Sequence, residues 1–312
     1  MRVANDMGQT SEYFENIPRV LELGLKVNNK TEKDLKEDVI IVKEWVLTQP
    51  HLPEVPDDHM ITSFLIMNKF SIENVKQKID MYYTMRSLYP EYFENKHPLA
   101  PCMQEIMDNF CYIPMPKATD EGYRVIIFRL FDDNPDFNIV NFHSLIYNVT
   151  EVRMKEDYNV GDIMVYDFKH LNLEHLAQCT PTHIKNYTTI LEKAFNSNIK
   201  QMHLINHPSF AEPVINLARK LLNPKVAQRF FFHKSTDSLK EYVSEDILPK
   251  DFGGTGPSLK EYSEIWKKKF TEYKERFDIL EKLRVNEGLR PTPLVNDDIL
   301  GYYGNFKKVA VD

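Results

Sequence analysis

From residue 31 the apolar positions recur at helical spacing. In TEKDLKEDVIIVKEWVLTQ, the side chains Leu35, Val39, Val42, Trp45 and Val46 fall on one stripe. Thr31 stands where an N-cap belongs, with Asp34 at the third helical position. PDDHMITSFLIMNKF reads as a second helix, and SIENVKQKIDMYYTMRSLY as a third, capped by Ser71 and halted before Pro90. Three helices joined by short polar turns predict a small bundle. ENKHPLAPC, with two prolines, reads as a linker.

The period changes near residue 110. NFCYIPMP and YRVIIFRLF are strand-like and are separated by the turn KATDEG. Helix NFHSLIYNVTEVRMKED, strand GDIMVYDF, helix TPTHIKNYTTILEKAFN, strand IKQMHLIN, helix AEPVINLARKLLN and strand VAQRFFFHK follow in turn. Pro181 begins the second of these helices, where its missing N–H costs nothing. Such alternation predicts an α/β domain with a mainly parallel sheet. SLKEYSEIWKKKFTEYKERFDILEKL reads as one amphipathic helix, and the remainder from Asn286 as a weakly ordered tail.

Composition narrows the function classes. The 312 residues are 42% hydrophobic and 27% charged, and the net charge of −7 speaks against a general nucleic-acid binder. No apolar run is long enough to cross a membrane, and the first residues lack the apolar core of a signal peptide. Cys102, Cys111 and Cys179 form no C-x-x-C pair, which fits free thiols in a reducing compartment. A cytoplasmic monomer is expected. The N-x-T sequons at Asn29, Asn148 and Asn186 then read as chance matches.

Candidate chemistry is sparse. His203 and His207 are four apart in QMHLINHP, which reads as a buried strand. On a strand they stand about 13 Å apart, too far to share a zinc bound at about 2.1 Å. No metal site is expected. The glycines of GGTG at 253–256 follow the last strand and lack the third glycine of a dinucleotide loop. The P-loop, nucleophile-elbow and zincin signatures are absent. Asp167 ends a strand, where its carboxylate is expected to cap the next turn, and His170, His175 and His183 read as solvated or hydrogen-bonded surface groups. Neither a catalytic residue nor a cofactor is expected.

The order of the pieces resembles the CRAL-TRIO lipid-transfer family over roughly residues 30 to 275. GDIMVYDFKHL is similar to the family's strand ending in aspartate. TPTHIKNYTTILEKAFNSNIKQMHLIN is similar to its helix-then-strand unit, LLNPKVAQRFFFHK to the segment before its last strand, and ILPKDFGG to its closing signature. The pattern looks most like the branch of tocopherol and retinaldehyde carriers. The resemblance implies an extension over 1–30, a helical domain over 31–97, a lipid-binding α/β domain over 98–275, and a helix end and tail over 276–312. It also implies a cavity covered by a movable helical lid, AEPVINLARKLL, with Gly253 and Gly254 reversing the chain afterwards.

Matched segment by segment, the resemblance places Ser144, Leu145, Asn148, Tyr166, Cys179, Tyr187, Ile190, Leu191, Phe195, Met202, Ile215, Ala218 and Leu222 around a hydrophobic ligand. Ser144, Asn148, Tyr166 and Tyr187 are its expected polar anchors. Burying about 400 Å² of ligand at roughly 25 cal/mol/Å² yields on the order of 10 kcal/mol before binding costs. Lys225 and Arg229, with Lys200 and Arg219 nearby, match part of a basic patch that implies contact with anionic membranes and phosphoinositides. FLIMNKF stands where relatives carry an arginine-rich stretch, and Asn198 where they carry a basic residue. Three function classes remain: a non-catalytic carrier of a tocopherol-, retinoid- or carotenoid-like lipid, a phosphatidylinositol or phospholipid exchange protein, and an α/β enzyme with an unfamiliar site.

Overall fold

The computed structural model describes residues 13–131, 137–195, 197–222 and 224–294. Helices come first: α1 (Ile17–Val27), α2 (Glu32–Leu47), α3 (Asp58–Met67), α4 (Ile72–Leu88) and α5 (Pro90–Phe93). α1 lies in the stretch expected to be a bare extension. α2 opens on a capping box: the Asp34 amide donates to Thr31 Oγ1, and the Thr31 amide to Asp34 Oδ2 at 2.7 Å. Asp57 caps α3 by accepting from the Met60 amide at 2.8 Å. Ser71 holds the N-cap position of α4 but makes no side-chain cap.

The α/β part runs α6 (Pro101–Asn109), β1 (Phe110–Pro114), β2 (Tyr123–Leu130), α7 (Ile139–Glu156), β3 (Gly161–Asp167), α8 (Leu173–Ala177), α9 (Pro181–Lys193), β4 (Ile199–Ile205), α10 (Glu212–Leu221), α11 (Pro224–Ala227) and β5 (Phe230–His233). The sheet order is β1-β2-β3-β4-β5, with β1 antiparallel and the rest parallel. Each parallel crossover steps one strand in the same direction. Right-handed connections therefore put all three crossovers on one side of the sheet. The last strand is shorter than VAQRFFFHK suggested, because Pro224 starts the single-turn α11. α12 (Leu259–Glu272) packs against β1, and an irregular turn at Tyr273 separates it from α13 (Lys274–Leu280), where one continuous helix was expected.

Register decides which side chains share a face. Phe128, Tyr166 and Leu204 are paired neighbours across β2, β3 and β4, and so are Ile127, Val165 and His203. Side chains alternate along a strand, so these two rows face opposite ways. Buried charge ties α7 in place. Arg86 on α4 pairs with Glu151, which also accepts from the Tyr82 hydroxyl at 2.6 Å. Arg153 bridges Asp157 and Asp162, and Asp157 accepts two bonds from the fully buried Arg124. Removing one member would strand a buried charge, at a cost of about 3–5 kcal/mol.

Two predicted irregularities have clear causes. Gly253 adopts φ +71°, and a Cβ on Gly254 would sit 2.0 Å from the Leu248 carbonyl oxygen. The start of the expected loose tail is anchored: the Asn286 amide donates to the His51 carbonyl, and Arg290 Nη1 lies 2.6 Å from Asp80 Oδ2. The remainder, 295–312, lies outside the described residues.

Candidate functional site

A cavity of about 220 Å³ opens between the crossover side of the sheet and the helices that cover it. Its floor alternates along the strands: Phe128 and Leu130 from β2, Tyr166 from β3, Met202 and Leu204 from β4, Phe230 from β5. α7 contributes Ile139, Phe142 and His143, while α9 contributes Ile184, Tyr187, Thr188 and Leu191. α10 crosses the top with Val214, Ile215 and Ala218 facing inward and Glu212, Asn216, Arg219 and Lys220 outward. That helix is amphipathic because its apolar positions recur three and four apart. Phe210 and Leu221, at its two ends, are exposed.

Tyr166, Cys179, Tyr187, Leu191, Met202, Ile215, Ala218 and Leu222 from the sequence reading lie together on the cavity wall. Ser144, Leu145, Asn148, Ile190 and Phe195 do not. The Ser144 hydroxyl is within hydrogen-bond reach of the carbonyls of Tyr92 and Val140, at 2.9 Å each, and Asn148 Nδ2 donates to the Lys96 carbonyl at 2.8 Å. Their face of α7 therefore grips the segment after α4 rather than the cavity. Leu145 and Ile190 are core, and Phe195 stacks on Tyr147 with ring centres 5.4 Å apart. The residues missed include Phe128, Phe142, His143, Phe168 and His175. Strand alternation could have supplied Phe128, paired beside Tyr166.

Burial shifts four of the titratable groups in the wall towards their neutral forms. Burial pushes the Tyr166 hydroxyl up to about 12 and Tyr187 well above the ordinary tyrosine value, and the two hydroxyls bond to each other. Burial raises the Cys179 thiol to about 11. It also lowers His143 to about 3, with His183 adding a smaller push in the same direction. Among the described residues lining the cavity there is no Lys or Arg, and Glu192 is the one carboxylate.

The histidines and Asp167 do other work. His203 faces away from the cavity, fully buried, with its ring nitrogens 2.7 Å from His233 Nε2 and 2.9 Å from Gln201 Oε1. Asn206 leaves the strand at φ +54°. Asp167 accepts from the Lys169 amide at 3.0 Å and from Asn206 Nδ2 at 2.9 Å, and pairs with Arg129, as a turn-capping carboxylate does. His175 is buried rather than solvated, in a capping box with Asn172. No group of three or more metal-ligating side chains occurs among the described residues.

The basic residues lie around α10, α11 and the ends of β4. Arg219 Nε donates to the Ala227 carbonyl at 3.4 Å and its guanidinium sits 5.5 Å from the Phe230 ring. Arg229 donates to the Ile199 carbonyl. Lys200 lies over the Tyr123 ring, and desolvation followed by Arg229 lowers its pKa. Lys225 is exposed. No described helix is long and apolar enough to cross a membrane.

Comparison with known proteins matches residues 107–254 to the CRAL/TRIO domain and residues 31–103 to the Pinta-like, UBA domain. The alpha-tocopherol transfer protein-like protein of Mus musculus is 27% identical over 274 residues, 85% of this chain and 75% of that one. Its Homo sapiens counterpart is also 27% identical, over 71% of this chain and 66% of its own length. Clavesin-1 of Xenopus laevis is 25% identical, over 77% and 74%. The crystal structure of Sfh5 aligns with a TM-score of 0.48 at 15% identity, covering 83% of this chain and 99% of that one.

Proposed function

The chain carries a CRAL/TRIO domain over residues 107–254, and from that premise we propose that it is a non-catalytic carrier of an uncharged hydrophobic lipid. The lipid occupies the cavity beneath α10 and passes between membranes chemically unchanged. One observation carries this reading: the wall is predominantly apolar and, among its described residues, holds no Lys or Arg. A phosphate in such a wall would lack a counter-ion, and burying an unpaired charge costs several kcal/mol. Two relatives named alpha-tocopherol transfer protein-like point in the same direction.

Release requires a membrane surface. The exposed Phe210 and Leu221 at the ends of α10, beside Arg219, Lys220 and Lys225, suit a peripheral approach to an anionic bilayer. A phospholipid-exchange role is the second reading, since Lys200, Arg219 and Arg229 stand close to the cavity-lining Phe230 and Ile199. A vesicle transfer assay separates the two. Fluorescent tocopherol should move between vesicles with catalytic amounts of protein, and fluorescent phosphatidylinositol should not. Transfer of the phospholipid alone would overturn the carrier reading in favour of the second.

A further inference from the structure

His143 is the one histidine of α7, and it is 5% exposed. Its ring lines the cavity and stacks on Tyr187, with centres 4.6 Å apart and planes 21° from parallel. Nδ1 is enclosed without a hydrogen-bond partner. No hydrogen bond reaches Nε2 among the described residues. The neighbouring polar groups are already engaged: the Tyr166 and Tyr187 hydroxyls with each other, and the Thr188 hydroxyl with the Ile184 and Lys185 carbonyls at 3.0 Å.

An orphaned buried polar group is rare because it forfeits its hydration. An enclosed N–H without an acceptor costs more than an enclosed lone pair, so the proton belongs on Nε2 and the lone pair on Nδ1. Burial keeps the ring uncharged at neutral pH. The ring thus offers a neutral N–H donor with no protein acceptor, set in an apolar wall.

We propose that His143 is the polar anchor of this cavity and that its Nε2–H donates to a single uncharged oxygen, hydroxyl or carbonyl, on the bound lipid. The inference rests on the cavity being a lipid site. It names the class of lipid. A pure hydrocarbon leaves the donor unpaired, while a carboxylate or phosphate brings a charge that no Lys or Arg in the described wall balances.

The test uses the delipidated full-length chain and three probes of equal length: hexadecan-1-ol, hexadecane and hexadecanoate, each displacing Nile red. The alcohol should bind at least tenfold more tightly than either of the others. His143→Phe keeps a ring against Tyr187 and should lose the preference for the alcohol over hexadecane. His143→Gln, which retains an N–H donor, should recover part of it. Equal affinity for alcohol and alkane in the unmodified protein would overturn the anchor whether or not any variant folds. So would an alcohol preference that survives in His143→Phe. Tight binding of hexadecanoate above the alcohol would assign the cavity to fatty acids instead. Failure to bind all three would overturn the lipid site itself, which distinguishes the two failures.

Discussion

Ala218 is the smallest side chain on the inward face of α10, one turn from Ile215 and Leu222. A tryptophan there would project into the cavity. Ala218→Trp should weaken binding of a fluorescent lipid tenfold or more, about 1.4 kcal/mol, with a smaller effect on the ligand-free melting temperature. If the site were dense core, the same change would cost roughly 1–3 kcal/mol of stability through overpacking. His203 provides a second residue-scale test. Its folded pKa is lowered to about 3, first by burial and then by His233, against an ordinary 6.5. A depressed histidine stabilises the fold fully above pH 6.5, and this is lost as pH falls towards 3, because the unfolded chain takes up the proton first. Between pH 6.5 and 5 the loss is about 2 kcal/mol. Denaturant titrations should show this slope, and His203→Phe should flatten it. An unchanged slope in the variant would remove His203 as its source. Single residues were the least legible scale in the sequence. Ser144 and Asn148 have the chemistry of ligand anchors, yet both spend it on backbone carbonyls.

Elements explain that error. α7 is buried on nearly every side, against the sheet on one flank and the N-terminal helices on the other. Its polar residues, among them Ser144, Asn148, Glu151 and Arg153, are scattered among the apolar ones, so no clean stripe reveals which face meets the cavity. α10 has the opposite character, and its inward positions Ile215, Ala218 and Leu222 were legible for that reason. The exposed basic residues of α10 and α11 lead to a prediction: Arg219→Glu with Lys225→Glu should slow transfer to anionic vesicles more than to neutral ones, and the difference should shrink with salt. Equal slowing on both vesicle types would reject electrostatic docking. Arg229 is a poorer choice, since its guanidinium holds the Ile199 carbonyl. The C-terminal segment carries its own test. Arg290 joins Asp80, Thr84 and Glu287. Arg290→Ala should cost about 2 kcal/mol and raise amide exchange around Asn286. No change in either would show that the segment is only loosely held.

For the whole molecule, the order of elements was readable because period-2 and period-3.6 segments alternate cleanly after residue 110. The helix Ile17–Val27 was passed over although its apolar positions recur at helical spacing, and the segment around Arg290 was not legible because it is held by Asp80, far along the chain. The central claim is that this fold exists to enclose one neutral lipid. Native mass spectrometry of the protein purified from cells expressing it, followed by solvent extraction, tests that claim most directly. The account predicts one uncharged oxygen-bearing lipid per chain, recovered unaltered after incubation. A bound phospholipid, or steady conversion of the lipid into a product, would contradict it.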